Sequence, residues 1–136
     1  MPRIAAVSTA APPHVMSQEF ATTLARSVYS NDRVFEKLLP VFQNARVAER
    51  HLAVDADWLR HPHTFGEVND LYIETALNLT KQVTLNVARE SQIATDEFDV
   101  VFFLSTTGLA TPSIDARLFN CISLNPHIKR IPIWGL

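Results

Sequence analysis

A chain of 136 residues is long enough for one domain, and 47% hydrophobic against 19% charged residues is a globular balance that excludes intrinsic disorder. A net charge of −2 gives no electrostatic basis for nucleic acid or an anionic membrane, and the single cysteine excludes an internal disulfide framework. No apolar run reaches the roughly 18 residues of a membrane span, and the proline-broken start MPRIAAVSTAAPP is no signal peptide, which leaves a soluble, cytoplasmic α/β protein as the expectation.

Residues 3–11 (RIAAVSTAA) are small and apolar, and the spacing predicts an opening strand closed by Pro12-Pro13. Ser17 is a candidate cap for a helix running to about Ser30, with Phe20, Leu24 and Val28 on one face. A second helix is predicted from Asn31 or Asp32 through Val34, Phe35, Leu38, Leu39 and Phe42. Pro40 falls inside that pattern without an N–H to donate, so the helix should kink or restart there. Residues 47–54 read as an extended segment in which Arg50 braces its surroundings through its several donors. His61 and His63 in the following polar loop could share a metal. No second Cys or His pair of suitable spacing exists to complete the site, so a surface loop is the better reading.

The longest helix is predicted over residues 65–91, with Ile73, Ala76, Thr80, Val83 and Val87 on one stripe. The sequon Asn78-Leu79-Thr80 lies in the middle of it and carries no weight as a glycosylation site. Residues 100–104 (VVFFL) form a continuous apolar run suited to a strand covered on both faces. The turn Ser105-Thr106-Thr107-Gly108 follows. A helix is then expected with Thr111 as N-cap, Pro112 at its first position, and Ile114, Leu118 and Ile122 at four-residue spacing, stopped by Asn125-Pro126. Residues 130–134 (RIPIW) read as a second buried strand. Residues 98–136 are therefore expected to form a βαβ unit, whose strand ends are where α/β folds place ligands.

Few residues in this pattern can carry chemistry. The three glycines, Gly66, Gly108 and Gly135, are too far apart to write a dinucleotide, P-loop or serine-hydrolase motif. Cys121 falls on the apolar side and near the C-terminal end of the last helix. The negative end of a helix dipole disfavours a thiolate, so Cys121 reads as a small hydrophobe. Thr106 and Thr107 stand at the carboxyl end of a strand. Spacing alone leaves open whether they satisfy the turn's own backbone or line a pocket.

The run 106–117 (TTGLATPSIDAR), followed by residues 129–136 (KRIPIWGL), resembles the bacterial type III polyketide synthases, chalcone/stilbene synthase-like enzymes of the thiolase fold. The step from Val47 to Arg50 is similar to one that follows the second helix in those enzymes. The resemblance implies the N-terminal portion of a layered αβαβα fold, incomplete at its C-terminus, with the nucleophilic Cys expected just after Leu136. It implies an acyltransferase that condenses an acyl-CoA starter with malonyl-CoA into pyrone or resorcinol-type products, as a homodimer, with no cofactor beyond the CoA thioesters. Thr106 and Thr107 match positions that line the acyl cavity. Thr111 matches a residue, often Met in plant enzymes, that reaches into the neighbouring subunit's cavity. Lys37 is the one match to the basic residues that contact CoA, since Pro40 and Asn44 occupy the other positions. Arg33, Arg46 and Lys129 could substitute as phosphate contacts, but a solvated surface charge is the better reading of each. A second reading is a non-catalytic chain, truncated or the product of a split gene, that supplies pocket wall and dimer surface. A third is a free-standing ligand-binding module.

Overall fold

The computed structural model describes residues 1–29 and 33–135, the side chain of Arg33 apart. The chain divides into two compact units, Ala11–His63 and Met1–Ala10 with Thr64–Leu136.

In the first of these units β1 (His14–Ser17) pairs antiparallel with β2 (Glu49–Leu52), with His14 opposite Leu52 and Ser17 opposite Glu49. Strand β1 runs straight into α1 (Gln18–Val28), and Ser17 caps it as expected, its Oγ accepting the Phe20 N–H at 3.2 Å. Helix α2 (Arg33–Leu38) stops before Leu39, and α3 (Pro40–Asn44) begins with the proline in its first turn, the restart that a missing N–H requires. Residues 30–32, where the first helix was expected to end and the second to begin, lie outside the described residues. Met16, Ala21 and Leu24 form the buried centre, with Phe42, Leu52, Ala56 and Leu59 packed on it. The buried face of α1 thus runs through Ala21 and Leu24. Phe20 and Val28, expected beside Leu24, are both 44% exposed. Gln18 and Arg50 tie the elements together: Gln18 donates to the Phe42 carbonyl and accepts from Arg50 Nε at 3.0 Å, while the Arg50 guanidinium lies 5.9 Å from the Phe42 ring centroid.

The opening strand expected over residues 3–11 is absent, and the strand begins beyond the prolines at His14. A strand exists only where it finds a partner. Among the described residues each sheet has two strands, β1 with β2 and a second, parallel pair, and residues 3–11 join neither.

In the other unit α4 (Phe65–Ser91) opens with a capping box. Thr64 Oγ1 accepts from Glu67 N, and the Glu67 carboxylate accepts from Thr64 N at 2.7 Å. It closes at Gln92, held in the left-handed region at φ 57°. Strands β3 (Val100–Ser105) and β4 (Lys129–Trp134) pair in parallel, with Val100 opposite Lys129 and Ser105 opposite Trp134. Helix α5 (Ile114–Leu118) lies between them in sequence, which completes the βαβ unit.

Two expectations about this unit need correction. Helix α5 starts two residues later than predicted, with Ser113 rather than Thr111 at its cap position and Pro112, after a cis peptide bond, outside it. Arg117 reaches back to hold the Pro112 carbonyl at 2.9 Å and the Thr111 carbonyl at 3.3 Å, which keeps both out of the helical ladder. At the other end the Leu118 carbonyl receives both the Cys121 and Ile122 N–H groups, so Ile122 sits in a turn rather than on the helix. The second correction concerns both strands: β4, expected to be buried, is exposed except at Ile133, and β3 is covered on one face only. Val101 and Phe103 are half-buried, while Val100, Phe102 and Leu104 are exposed, Phe102 to 66%. Among the described residues this is a one-sided sheet, so the apolar run does not report two-sided burial here.

Beneath the strands Ile114, Leu118 and Asp115 are each 1% exposed. The Asp115 carboxylate is buried against Arg130 of β4, Oδ2 to Nη1 at 3.1 Å, and the guanidinium lies 5.7 Å from the Phe119 ring centroid. Removing the cation would leave a buried charge uncompensated, so Arg130→Met is expected to lower unfolding stability by about 3 kcal/mol, the low end for a broken buried pair because the arginine side is partly wet. Urea unfolding measures it. A loss below about 1 kcal/mol would mean that solvent screens the pair like a surface bridge.

Candidate functional site

A cavity of about 320 Å³ lies in the β3–α5–β4 unit, at the end where both strands finish. Its walls include Tyr72 from α4, Ser105 from the end of β3, Trp134 from the end of β4, and Leu109, Thr111 and Ile114 from the intervening loop and helix start. This is the carboxyl end of a parallel pair, the place where α/β folds leave room for ligands because the chain turns away there. A larger depression of about 640 Å³ lies in the Ala11–His63 unit among α1, α2 and α3. Its rim mixes Glu19 and Glu36 with Arg26, and among the described residues it gathers no cysteine, serine or histidine, so size alone does not make it the site.

Three contacts from α4 and β4 fix the loop that lines the cavity. Asn69 grips Leu109 with both halves of its amide, Nδ2 donating to the Leu109 carbonyl at 2.9 Å and Oδ1 accepting the Leu109 N–H at 2.7 Å. One helical turn on, the Tyr72 hydroxyl meets Ser105 Oγ at 2.7 Å. The Trp134 indole N–H donates to the Gly108 carbonyl at 2.8 Å. Gly108 itself adopts φ 65°, and a Cβ there would stand inside the Tyr72 ring. The turn can therefore lie flat under Tyr72 only because this residue has no side chain.

The residues singled out from sequence are dispersed. Thr106 and Thr107 are exposed on the turn and are not among the residues lining the cavity; the adjacent Ser105 lines it instead. Ser105 also satisfies the turn, donating to the Thr107 carbonyl at 2.8 Å. Thr111 lines the cavity. Lys37 is exposed on α2, Arg46 is exposed at φ 50°, Lys129 is exposed at the start of β4, and the Arg33 side chain lies outside the described residues. Cys121 is half-buried beyond α5, its thiol 3.6 Å from the Arg117 carbonyl, and is not part of the cavity wall. His61 and His63 each place a ring nitrogen on a backbone carbonyl, of Asp57 and Trp58, and His63 stacks on Trp58 at 3.5 Å. Both imidazoles are engaged in local structure.

Sequence reading missed Asn69, Tyr72 and Trp134 as parts of this site. The available signal was slight: Asn69 and Tyr72 stand three apart, on one face near the start of a helix whose other half-buried positions are mostly apolar.

The architecture is that of the type III polyketide synthases, a thiolase-like α/β fold. The chain superposes on the tetrahydroxynaphthalene synthase of Streptomyces coelicolor with a TM-score of 0.84 at 24% identity, over 93% of this chain and 36% of that one. It matches a fungal type III polyketide synthase, ORAS, at 0.85 and 14% identity, and CsyB complexed with CoA-SH at 0.84 and 21% identity, covering 36% and 35% of those chains. Its sequence relatives are of the same kind. A chalcone synthase-like protein of Bacillus subtilis is 34% identical over 139 residues, and the tetrahydroxynaphthalene synthase of Streptomyces peucetius is 30% identical over 134. Each alignment takes in 98% of this chain, which spans 38% and 36% of the length of these two relatives. No protein-family model matches the chain. By sequence and by fold, the chain is thus related along nearly its whole length to the type III polyketide synthases.

The close approach at Gly108 makes a prediction. Gly108→Ala combines an unfavourable φ with a clash against an aromatic ring and is expected to cost about 3 kcal/mol in thermal or urea unfolding. Much of that cost should vanish in a Tyr72→Ala background. Equal costs in both backgrounds would mean that φ alone, rather than the Tyr72 contact, demands the glycine.

Proposed function

We propose that this chain forms part of the acyl-binding wall of a type III polyketide synthase. In that reaction a cysteine thiolate takes the acyl group from a CoA thioester and releases CoA. Malonyl-CoA then loses CO₂, and the resulting carbanion attacks the enzyme-bound thioester, whose C–S bond breaks to free the cysteine thiolate and leave a CoA thioester two carbons longer. Closure gives pyrone or resorcinol-type products. A thiolate paired with a histidine supplies the nucleophile, and donors aimed at the developing oxyanion lower the barrier. The observation that supports the reading is the cavity at the strand ends, walled by Tyr72, Leu109, Ile114 and Trp134, in a chain whose relatives are such synthases. Its mostly apolar lining with a few hydroxyls suits an acyl chain punctuated by oxygens.

On this reading the thioesters are acyl-CoA and malonyl-CoA, no further cofactor takes part, and the reaction runs in the cytoplasm. No helix among the described residues is long and apolar enough to cross a membrane. Thr111, exposed at the cavity, is the residue proposed to meet a second synthase subunit in a homodimer, and Thr106 and Thr107 act beside the growing chain from the turn. Lys37 is the proposed CoA contact on α2. On this reading Cys121, which stands outside the cavity wall, is not the nucleophile, and residues 1–136 bind acyl-CoA without turning it over.

Two measurements on the 136-residue protein test this. Titration with octanoyl-CoA should quench the fluorescence of Trp134 in a Trp58→Phe background, and free CoA should give a smaller change. A thiol assay with octanoyl-CoA and malonyl-CoA should detect no CoA release above the uncatalysed rate. Turnover abolished by Cys121→Ala would place the nucleophile at Cys121 and overturn the assignment. Absence of any acyl-CoA response would remove the cavity as the acyl site.

A further inference from the structure

We propose that Tyr72 makes this cavity selective for a ligand that presents a hydroxyl donor, an enol or a phenol, over one that presents only a carbonyl oxygen. The inference rests on the preceding reading for the placement of the ligand, and otherwise on a count of protons. The Thr107 carbonyl can only accept, so its 2.8 Å contact with Ser105 Oγ consumes the one proton that serine has. Ser105 Oγ also accepts the Thr107 N–H at 3.4 Å. Its remaining lone pair is 2.7 Å from the Tyr72 hydroxyl. With the serine proton committed, the phenol must be the donor in that contact, and Ser105 is left saturated.

Tyr72 Oη therefore has lone pairs to offer a ligand and no proton. The neighbouring indole donor is equally committed. The Trp134 N–H is held by the Gly108 carbonyl, and Asn69, which gives one of its two Nδ2 protons to the Leu109 carbonyl, is not among the residues lining the cavity. Thr111 and Ser113 also line the cavity, but their hydroxyls rotate to donate or accept and so do not discriminate. A ligand carbonyl against Tyr72 Oη would bring two acceptors together, whereas a ligand hydroxyl supplies the missing proton. Mismatched polar groups cost more than matched ones gain, so this single oxygen is enough to sort ligands. For a polyketide it separates the enolised or aromatised form from the keto form of the same carbon chain.

Ligand-observed NMR titrations of the 136-residue protein with 2-naphthol and 2-acetylnaphthalene test the proposal, with 2-methoxynaphthalene as a control that lacks the donor. In the parent protein 2-naphthol should bind about fivefold more tightly than either of the other two. Tyr72→Phe keeps the ring over Gly108 and should abolish the preference. Ser105→Ala releases the Tyr72 proton and should shift the preference toward 2-acetylnaphthalene, a reversal that a merely structural role of Ser105 would not produce. Equal binding of the three probes to the parent, binding of none of them, or a preference that survives Tyr72→Phe would overturn it. Selectivity for 2-naphthol without any response to octanoyl-CoA would sustain this inference and remove the acyl-CoA reading instead.

Discussion

The contact between the Tyr72 ring and the backbone at Gly108 is the constraint on which the β3–α5–β4 unit depends. Residue 108 has a positive φ and leaves no space for a Cβ, so α4 approaches the turn after β3 more closely than any side chain would permit. That closeness brings Asn69 within bidentate reach of Leu109 and the Tyr72 hydroxyl within reach of Ser105. The Trp134 indole then fastens the same turn from the end of β4. A loop that bears its own backbone polar groups into a cavity wall must have them satisfied, and here side chains from α4 and β4 do so. The cavity is thus shaped by elements distant in sequence acting on one short turn.

The Asp115–Arg130 pair, buried on its carboxylate side, has a different task. It links the first turn of α5 to the second residue of β4, and so joins the two consecutive elements of the βαβ unit from beneath. Buried ion pairs seldom add net stability, but they penalise any arrangement in which the partners separate. A slip of β4 along β3 would pull Arg130 away from a carboxylate that is 1% exposed. The pair therefore specifies register, and register decides that Trp134 ends opposite Ser105.

What could be read from sequence was whatever depended on neighbours in the chain. The 27-residue helix from Phe65, the Ser17 cap, the restart at Pro40 and the two strands of the βαβ unit all follow from local spacing and from the chemistry of proline and serine. The run 106–117 carried the family resemblance as well, because it packs a turn, a proline and a helix start into twelve residues. Expectations failed where pairing or capping was settled at long range. Residues 3–11 have strand-like composition but pair with neither two-stranded sheet, and Ser113 rather than Thr111 takes the cap position, with the Thr111 carbonyl held by Arg117. Within the candidate site the residue legible from sequence was Thr111, whereas Thr106 and Thr107, the hydroxyls singled out at the strand end, do not line the cavity. Asn69 and Tyr72 were not legible, since their role exists only once α4 lies across the turn some 33 to 40 residues further along.

That long-range origin bears on what the site can do. Ser105 and Trp134 spend their donors on the protein itself and Asn69 spends one of its two, so the loop enters a binding event already ordered and has little conformational entropy left to lose. A preorganised wall also cannot easily reorient a dipole to suit a ligand, which turns the fixed direction of each hydrogen bond into a selective feature. Had Thr106 or Thr107 lined the cavity, a free hydroxyl rotor would have served donors and acceptors alike. The serine just before them, saturated and pinned by Tyr72, converts a permissive position into a directional one. Recognition in this cavity then turns less on how many polar groups surround it than on which of them still hold a proton to give.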